Sequence, residues 1–365
     1  MKLRAEWIAD ERRWRELQPR WDDIVLRSPH PSLYATWAFS EACWTHFARP
    51  LGDELAVVAL FDDETLVGLA PFRIHRRRQL GLLAVRELTR LAAWESDRVP
   101  PLVCTAPEAE CARALSECLE AQASRWDSIR LLEADPVWEV VRHLREWASQ
   151  ARGIRVLLEP TEPSPYLDLT PGWEAVLHAF SKIRRAELRR SQRALSAAGA
   201  WAFEVEEGDG MTEALARYVD VESRSWKPAA GQGIAKNERT LAFYRDLLPS
   251  LAREGRACIS LLRLGDKHVA AMVDLVLGHT VWGAQKTYDQ EVARLSPGNF
   301  LEALVLERWT RRGAHSYELQ AQYVSDKGRW TRQSHPNARL TVYQLRSPRQ
   351  YAVFPRAWLR RASPG

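Results

Sequence analysis

Apolar positions recur at helical spacing over residues 7–21 and 33–47, which predicts two amphipathic helices near the start of the chain. The pattern then shortens. Residues 55–61 and 65–72 are compact apolar runs parted by Asp62, Asp63 and Glu64, a hairpin signal. Beyond Arg76, Arg77 and Arg78 the sequence predicts another turn, a strand ending near Cys104, a helix over 108–124 and a strand over 128–132. Helices flanking a small sheet make this half an α/β (α+β) unit.

Pro160, Pro163 and Pro165 fall within six residues, and a proline triplet is expected to continue neither helix nor central strand. The domain boundary is therefore placed there, giving units 1–158 and 159–365. The second half predicts a strand at 166–169, one long helix over 173–197, a strand at 201–206, and helices around 213–225 and 238–253. Three apolar strands follow at 257–264, 268–277 and 280–288. The turns between them, Gly265-Asp266 and Gly278-His279, are too short for anything but antiparallel neighbours. Ser296-Pro297-Gly298-Asn299 then opens a helix to about residue 312, with Ser296 as N-cap and Pro297 at the first helical position. A strand returns at 315–320. Helix-layered sheets in both halves suggest a duplicated unit.

Composition narrows the class. The 365 residues are 46% hydrophobic and 27% charged, enough for two globular domains and not the mixture of a disordered chain. A formal charge of +5 is a mild bias toward anionic partners, short of a dedicated nucleic-acid binder. Five scattered cysteines do not form a secreted disulfide framework, and Cys111 and Cys118, seven apart on one helix face, lack His or Cys partners at zinc spacing. They read as reduced thiols, with no metal expected. The longest clean apolar run, 55–61, is far below the ~20 residues of a membrane helix, so no span is expected and the cytoplasm is the expected location. No Gly-x-Ser-x-Gly elbow or His-Glu-x-x-His helix supports a hydrolase or zinc enzyme.

Several short motifs in order carry a resemblance. In the first half these are Ser28-Pro-His-Pro-Ser-Leu-Tyr, the helix from Trp37 to Trp44, and Leu66-Val-Gly-Leu-Ala-Pro-Phe. In the second they are Arg184-Arg-Ala-Glu-Leu-Arg-Arg, Glu222-Ser-Arg-Ser-Trp-Lys, Lys286-Thr-Tyr-Asp, Ser296-Pro-Gly and Asp326-Lys-Gly-Arg-Trp. The chain resembles the tandem GNAT-type acyltransferases, in particular the CelD-like (cellulose biosynthesis) branch, itself similar to the FemABX aminoacyltransferases. The resemblance implies two GNAT-like domains, each a mixed, mainly antiparallel sheet flanked by helices. It also implies N-acyl transfer from acetyl-CoA or another acyl-CoA to a small-molecule, glycan or peptide amine, the first domain lacking a donor site. The chain departs from the pattern at Arg294-Leu-Ser-Pro-Gly-Asn, where a single glycine replaces the usual paired glycines of the phosphate loop. An aminoacyl-tRNA donor is the second reading, and a non-catalytic assembly protein for polysaccharide or natural-product synthesis the third.

Candidate chemistry follows. The N–H groups of Gly298, Asn299 and Phe300 at a helix start form a cradle for pyrophosphate, with Ser296 at the cap and Lys286 and Arg294 as neutralising cations; the alternative is an ordinary capped helix. Asp274 lies in an apolar strand beside Ala270, Met272 and Val276, where burial raises a carboxyl pKa toward that of a general base; the alternative is an Asp satisfied by an Arg or hydroxyl. Glu318 and Gln320 share the strand face opposite Tyr317 and Leu319, placing them toward an acceptor or toward solvent. Lys327 stands where the resemblance puts a lysine near the end of the second domain, suited to an oxyanion. Glu222 and Trp226, four apart, line either a cleft under a Gly-rich flap or a packed helix face. Lys182, Arg185, Arg189 and Arg193 form a basic stripe, for phosphates or for water, opposite Leu177, Phe180, Leu188 and Leu195, with Arg184 falling among the apolar set. The 16 tryptophans read mostly as core.

Overall fold

The structure is a computed structural model and describes residues 2–79, 83–93, 96–320 and 327–347. Contacts divide them into one unit formed by residues up to Thr161 together with those from Pro336, and a second spanning Glu162–His335. The break lies close to the proline cluster. The second unit, however, ends at His335, because the strand that follows returns to the first unit, something local composition does not reveal.

In the first unit, β1 (Arg4–Ile8) pairs antiparallel with β3 (Val57–Asp62), so Trp7 is in a strand and not in the expected helix. The helix starts only after Asp10, whose Oδ1 accepts the Arg13 N–H at 2.9 Å. Helices α1 (Glu11–Arg15), α2 (Gln18–Arg27) and α3 (Trp37–Cys43) bring four tryptophans together: Trp14 lies 4.7 Å from Trp37, and Trp21 5.5 Å from it, with Trp44 against Trp14. All four are buried, as core tryptophans should be. After β2 (Glu54–Leu55), the expected hairpin is β3 with β4 (Thr65–Ala70), closed at Asp62↔Thr65. Strands β5 (Phe72–Gln79) and β6 (Leu83–Arg90) pair antiparallel, and β7 (Val103–Cys104) pairs with β4. Helix α4 (Glu108–Ala121) leads to β8 (Ser128–Ala134), parallel to β6, and α5 (Glu139–Gln150) packs on α4. The core joins Leu60, Phe72, Leu88, Leu115 and Trp126, with Cys104, Cys111 and Cys118 among them as free buried thiols.

Strand β9 (Ile154–Asp168) runs through all three prolines. The expected interruption fails because the fixed φ of proline suits extended chain and its carbonyl still accepts: Leu319 N–H donates to Pro165 O at 2.9 Å.

In the second unit the predicted long helix is two, α6 (Trp173–Ala179) and α7 (Lys182–Ala198). Phe180 turns extended and the Ser181 hydroxyl caps α7 by accepting the Arg184 N–H at 3.1 Å. Strand β10 (Trp201–Glu206), α8 (Met211–Ser223) and α9 (Glu238–Arg253) lead to the meander of β11 (Ala257–Leu264), β12 (Lys267–Leu277) and β13 (Thr280–Tyr288), its turns at left-handed Gly265 and Gly278. Then come α10 (Pro297–Arg311), β14 (Ser316–Glu318) and the opening of β15 (Ser334–Gln344), which pairs with β8 in the first unit's range. The sheet order is β10-β11-β12-β13-β14-β9, antiparallel throughout except for the parallel β13/β14 pair. Gln285 bonds to Tyr244 of α9 while its neighbour Lys286 pairs with Glu302 of α10, so α9 and α10 cover opposite faces. Among the described residues no helix is long and apolar enough to cross a membrane.

A Cβ on Gly283 would lie 2.6 Å from the Tyr317 hydroxyl, so only glycine lets β14 lie this close to β13. Gly283→Ala is expected to destabilise the protein by ~1–3 kcal/mol in denaturant unfolding, and the loss should shrink in a Tyr317→Phe background. Strict additivity of the two substitutions would contradict the contact.

Candidate active site

The parallel register is Thr280↔Ser316, Val281↔Tyr317 and Trp282↔Glu318, and there it stops. Strand β13 runs on to Tyr288, and among the described residues no strand pairs with Gly283–Tyr288 on that edge. A bulge between Val273 and Asp274 of the β12 pairing places the extra residue of β13 at the same point and increases the local twist. Among the described residues, the backbone donors and acceptors of alternate residues in this stretch, those turned away from β12, therefore have no strand partner.

On the α10 side, Asp274 is fully buried. It accepts from Trp309 Nε1 at 2.9 Å and Tyr317 Oη at 2.7 Å, with the Cys258 thiol at 3.9 Å. Burial pushes its pKa up to about 6, against the two donors that favour the charged form. The raised pKa matches the sequence expectation. The surroundings match its alternative, a carboxylate satisfied inside the core by hydroxyl and indole donors. What it does is hold Tyr317 under Gly283.

The helix start is only partly the expected cradle. Ser296 stands at the N-cap in a left-handed conformation (φ 53°), but its hydroxyl makes no capping bond. Pro297 opens α10 as expected. Gly298 and Asn299 N–H groups have no acceptor inside the helix, whereas Phe300 N–H donates to Ser296 O at 3.2 Å and its ring packs edge-on against Trp201. Tyr288 covers Gly298 on one side, 3.0 Å from where a Cβ would stand. Arg294 is exposed nearby, but Lys286 is paired with Glu302, a buried carboxylate of α10. On α7, which packs against α10, Lys182, Arg189 and Arg193 point outward, while Arg185 caps α6 by donating to Phe180 O at 2.9 Å.

The α8/α9 face holds a polar cluster of which the sequence singled out only Glu222. Lys227 Nζ donates to Gln285 Oε1 at 2.9 Å and lies 3.4 Å from Tyr218 Oη and 3.5 Å from Glu222 Oε1; Gln285 Nε2 donates to Tyr244 Oη at 3.3 Å. Burial lowers the Lys227 pKa, with Glu222 opposing it. Glu222 is buried and its Oε2 accepts the Ala235 N–H at 2.9 Å, while left-handed Gly233 passes against the carboxylate. It thus pins the Gly-rich connection from inside. Trp226 points out and is 43% exposed. Arg224 anchors the same segment by donating to buried Asp289 at 2.7 Å, which explains the aspartate closing Lys286-Thr-Tyr-Asp. The signal for Lys227 was the last letter of Glu222-Ser-Arg-Ser-Trp-Lys.

Glu318, alternating with Tyr317, faces this same side at the point where the strands part. It is buried, accepts from the Ser316 hydroxyl, and lies 3.3 Å from His335 Nε2, whose ring stacks on Tyr166. Gln320 has φ 65° and its carbonyl accepts from Lys327 Nζ at 3.3 Å. The rest of that connection, with Asp326 of the lysine motif, lies outside the described residues.

Residues 182–324 match the family model described as an acetyltransferase (GNAT) domain. Among solved structures, FemX superposes with a TM-score of 0.62 at 11% identity, covering 92% of this chain and 98% of that one. L-PGS from Bacillus licheniformis gives 0.52 at 14%, covering 86% and 94%. A tandem GNAT protein from the clavulanic acid biosynthesis pathway gives 0.50 at 11%, covering 94% and 99%. None of the curated proteins matches the chain. At these identities the structural likeness speaks for the fold.

Because Asp274 has a folded-state pKa near 6 against ~3.9 unfolded, the native state binds its proton more tightly. Its contribution is greatest below about pH 4 and is lost as pH rises through 6, on the order of 3 kcal/mol. Stability relative to Asp274→Asn should fall by that order between pH 4 and pH 7 in denaturant titrations. A difference independent of pH would contradict the buried, up-shifted carboxyl.

Proposed function

We propose, from the premise that the chain is a GNAT-like acyltransferase of tandem architecture related to FemABX, that its second unit moves an acyl group from acyl-CoA to an amine by direct attack. The observation that carries this is the early end of β14. Among the described residues it leaves the β13 edge from Gly283 to Tyr288 without a strand partner, and an extended pantetheine chain satisfies such an edge as an added strand would. The pyrophosphate then lies toward the Gly298 and Asn299 amides and the exposed Arg294, where the helix dipole favours negative charge. A β13 N–H polarises the thioester carbonyl.

The acceptor amine enters from the α8/α9 face. Glu318 is the general base in this reading, since it sits at the parting of the strands on that face. Asp274 keeps the parting in shape through Tyr317, and Gln285, held by Lys227 and Tyr244, orients the amine. Glu222 acts through the segment it pins, beside Trp226. Lys327 fixes Gln320 two residues beyond β14, with its charge near the developing oxyanion. No covalent enzyme intermediate is needed, because proximity and polarisation supply the rate. No metal is assigned a role.

The second reading keeps the chemistry and replaces coenzyme A by an aminoacyl-tRNA. Three observations favour it: one phosphate-loop glycine covered by Tyr288, Lys286 neutralised by Glu302, and the outward cations of α7.

With acyl-CoA and amine panels, wild-type protein should release thiol in an amine-dependent way, and Glu318→Gln should lower kcat by ~10²–10⁴. Absence of thiol release together with a tRNA gel shift would replace the first reading by the second. Absence of both would remove the transfer reading.

A further inference from the structure

On the same unit, a cavity of about 820 Å³ opens between α6, α7 and residues 328–333, a size typical of small-molecule sites. Its walls are apolar where Leu167, Val176, Phe180 and Trp330 meet, and all four are buried. Arg184 stands in the wall with 2% of its surface exposed, although the sequence pattern put it among the apolar positions of α7.

The guanidinium lies over the Trp330 ring, 3.8 Å from its centroid, and Nη1 lies 3.3 Å from Glu187 Oε2. Nε and Nη2 have no hydrogen-bond partner. These two nitrogens form one edge of the guanidinium, the edge whose parallel N–H groups engage a planar carboxylate in two bonds. Buried donors are rarely left unpaired in a native structure, and two on one edge mark a place for an acceptor the protein itself does not provide.

We propose that this cavity binds an amphiphilic carboxylate, its headgroup on the Nε–Nη2 edge of Arg184 and its acyl-chain or aryl body against Phe180, Val176 and Trp330. The inference goes beyond the transfer reading and holds whichever carrier supplies the donor. A monoanion is favoured over phosphate because Glu187 and Asp168 line the cavity, while Arg329 is already paired with Glu187 at 2.9 Å. The planar fork likewise matches two coplanar oxygens better than a tetrahedral group.

The test is isothermal titration of the full chain with octanoate and phenylacetate, with 1-octanol and inorganic phosphate as comparators. Octanoate should bind at least ~10-fold more tightly than 1-octanol, and Arg184→Gln should erase that difference. Ala179→Trp, a substitution at an exposed position of the cavity wall, should block both ligands while leaving the fold intact. Equal binding of octanoate and 1-octanol, displacement of octanoate by phosphate at similar concentration, or unchanged octanoate binding in Arg184→Gln would overturn the proposal. Should Arg184→Gln not fold, octanoate binding that survives in Ala179→Trp would overturn it. Thiol release from acyl-CoA, followed separately, is expected to be unchanged in Ala179→Trp, so failure of either reading is seen apart from the other.

Discussion

Everything in the second unit depends on a parallel pair of strands that is allowed to be only three residues long. Parallel strands need a crossover, here α10, and a crossover of this length would permit a longer ladder. Glycine at 283 lets Tyr317 tuck under β13, and Tyr317 is held from below by a carboxylate that also binds Trp309. That buried triad fixes where the strands touch. Past it, among the described residues, no strand pairs with that edge of β13. An ionisable group inside the core is the energetic consequence: near neutral pH the charged Asp274 is tolerated only because two donors face it.

The two faces of β13 divide the labour. Lys286 and Tyr288 look toward α10 and occupy ground expected for phosphate, one by pairing with Glu302 and the other by covering Gly298. Gln285 looks toward α8 and α9 and joins buried Lys227, Tyr218, Glu222 and Tyr244. Charge near the helix start is therefore more balanced than the sequence suggests, and the buried polar chemistry is concentrated on the opposite face. Buried hydrogen bonds of this kind rigidify their surroundings, although Glu222 Oε1 is left with only the Lys227 charge at 3.5 Å.

Much of the fold was legible because period and punctuation agreed. The β11–β13 meander has unambiguous two-residue turns, and Pro297 marks the start of α10. Where reading failed, a local feature outweighed the period. Asp10 stopped a helix from reaching Trp7, Ser181 cut one helix into two, and extended prolines carried β9 through a supposed break. The site was less legible, because it is assembled by tertiary contacts. Asp274 was singled out as buried, and its partners, a tyrosine hydroxyl and an indole N–H, come from β14 and α10, far along the chain; Lys227 closed a quoted motif, but its burial depends on Gln285 and Tyr218, which no local pattern links to it. Arg184 looked like an irregularity in an apolar stripe, and the stripe was informative because of it.

The central claim is that the unpaired edge of β13 and the first turn of α10 receive the donor. Hydrogen–deuterium exchange of the full chain with and without saturating acetyl-CoA tests it most directly. The account predicts slowed exchange at those amides of Gly283–Tyr288 that face away from β12 and at Gly298 and Asn299, with β10 unchanged. Saturation with acetyl-CoA that leaves those amides exchanging at their free rate, or protects only other segments, would contradict it.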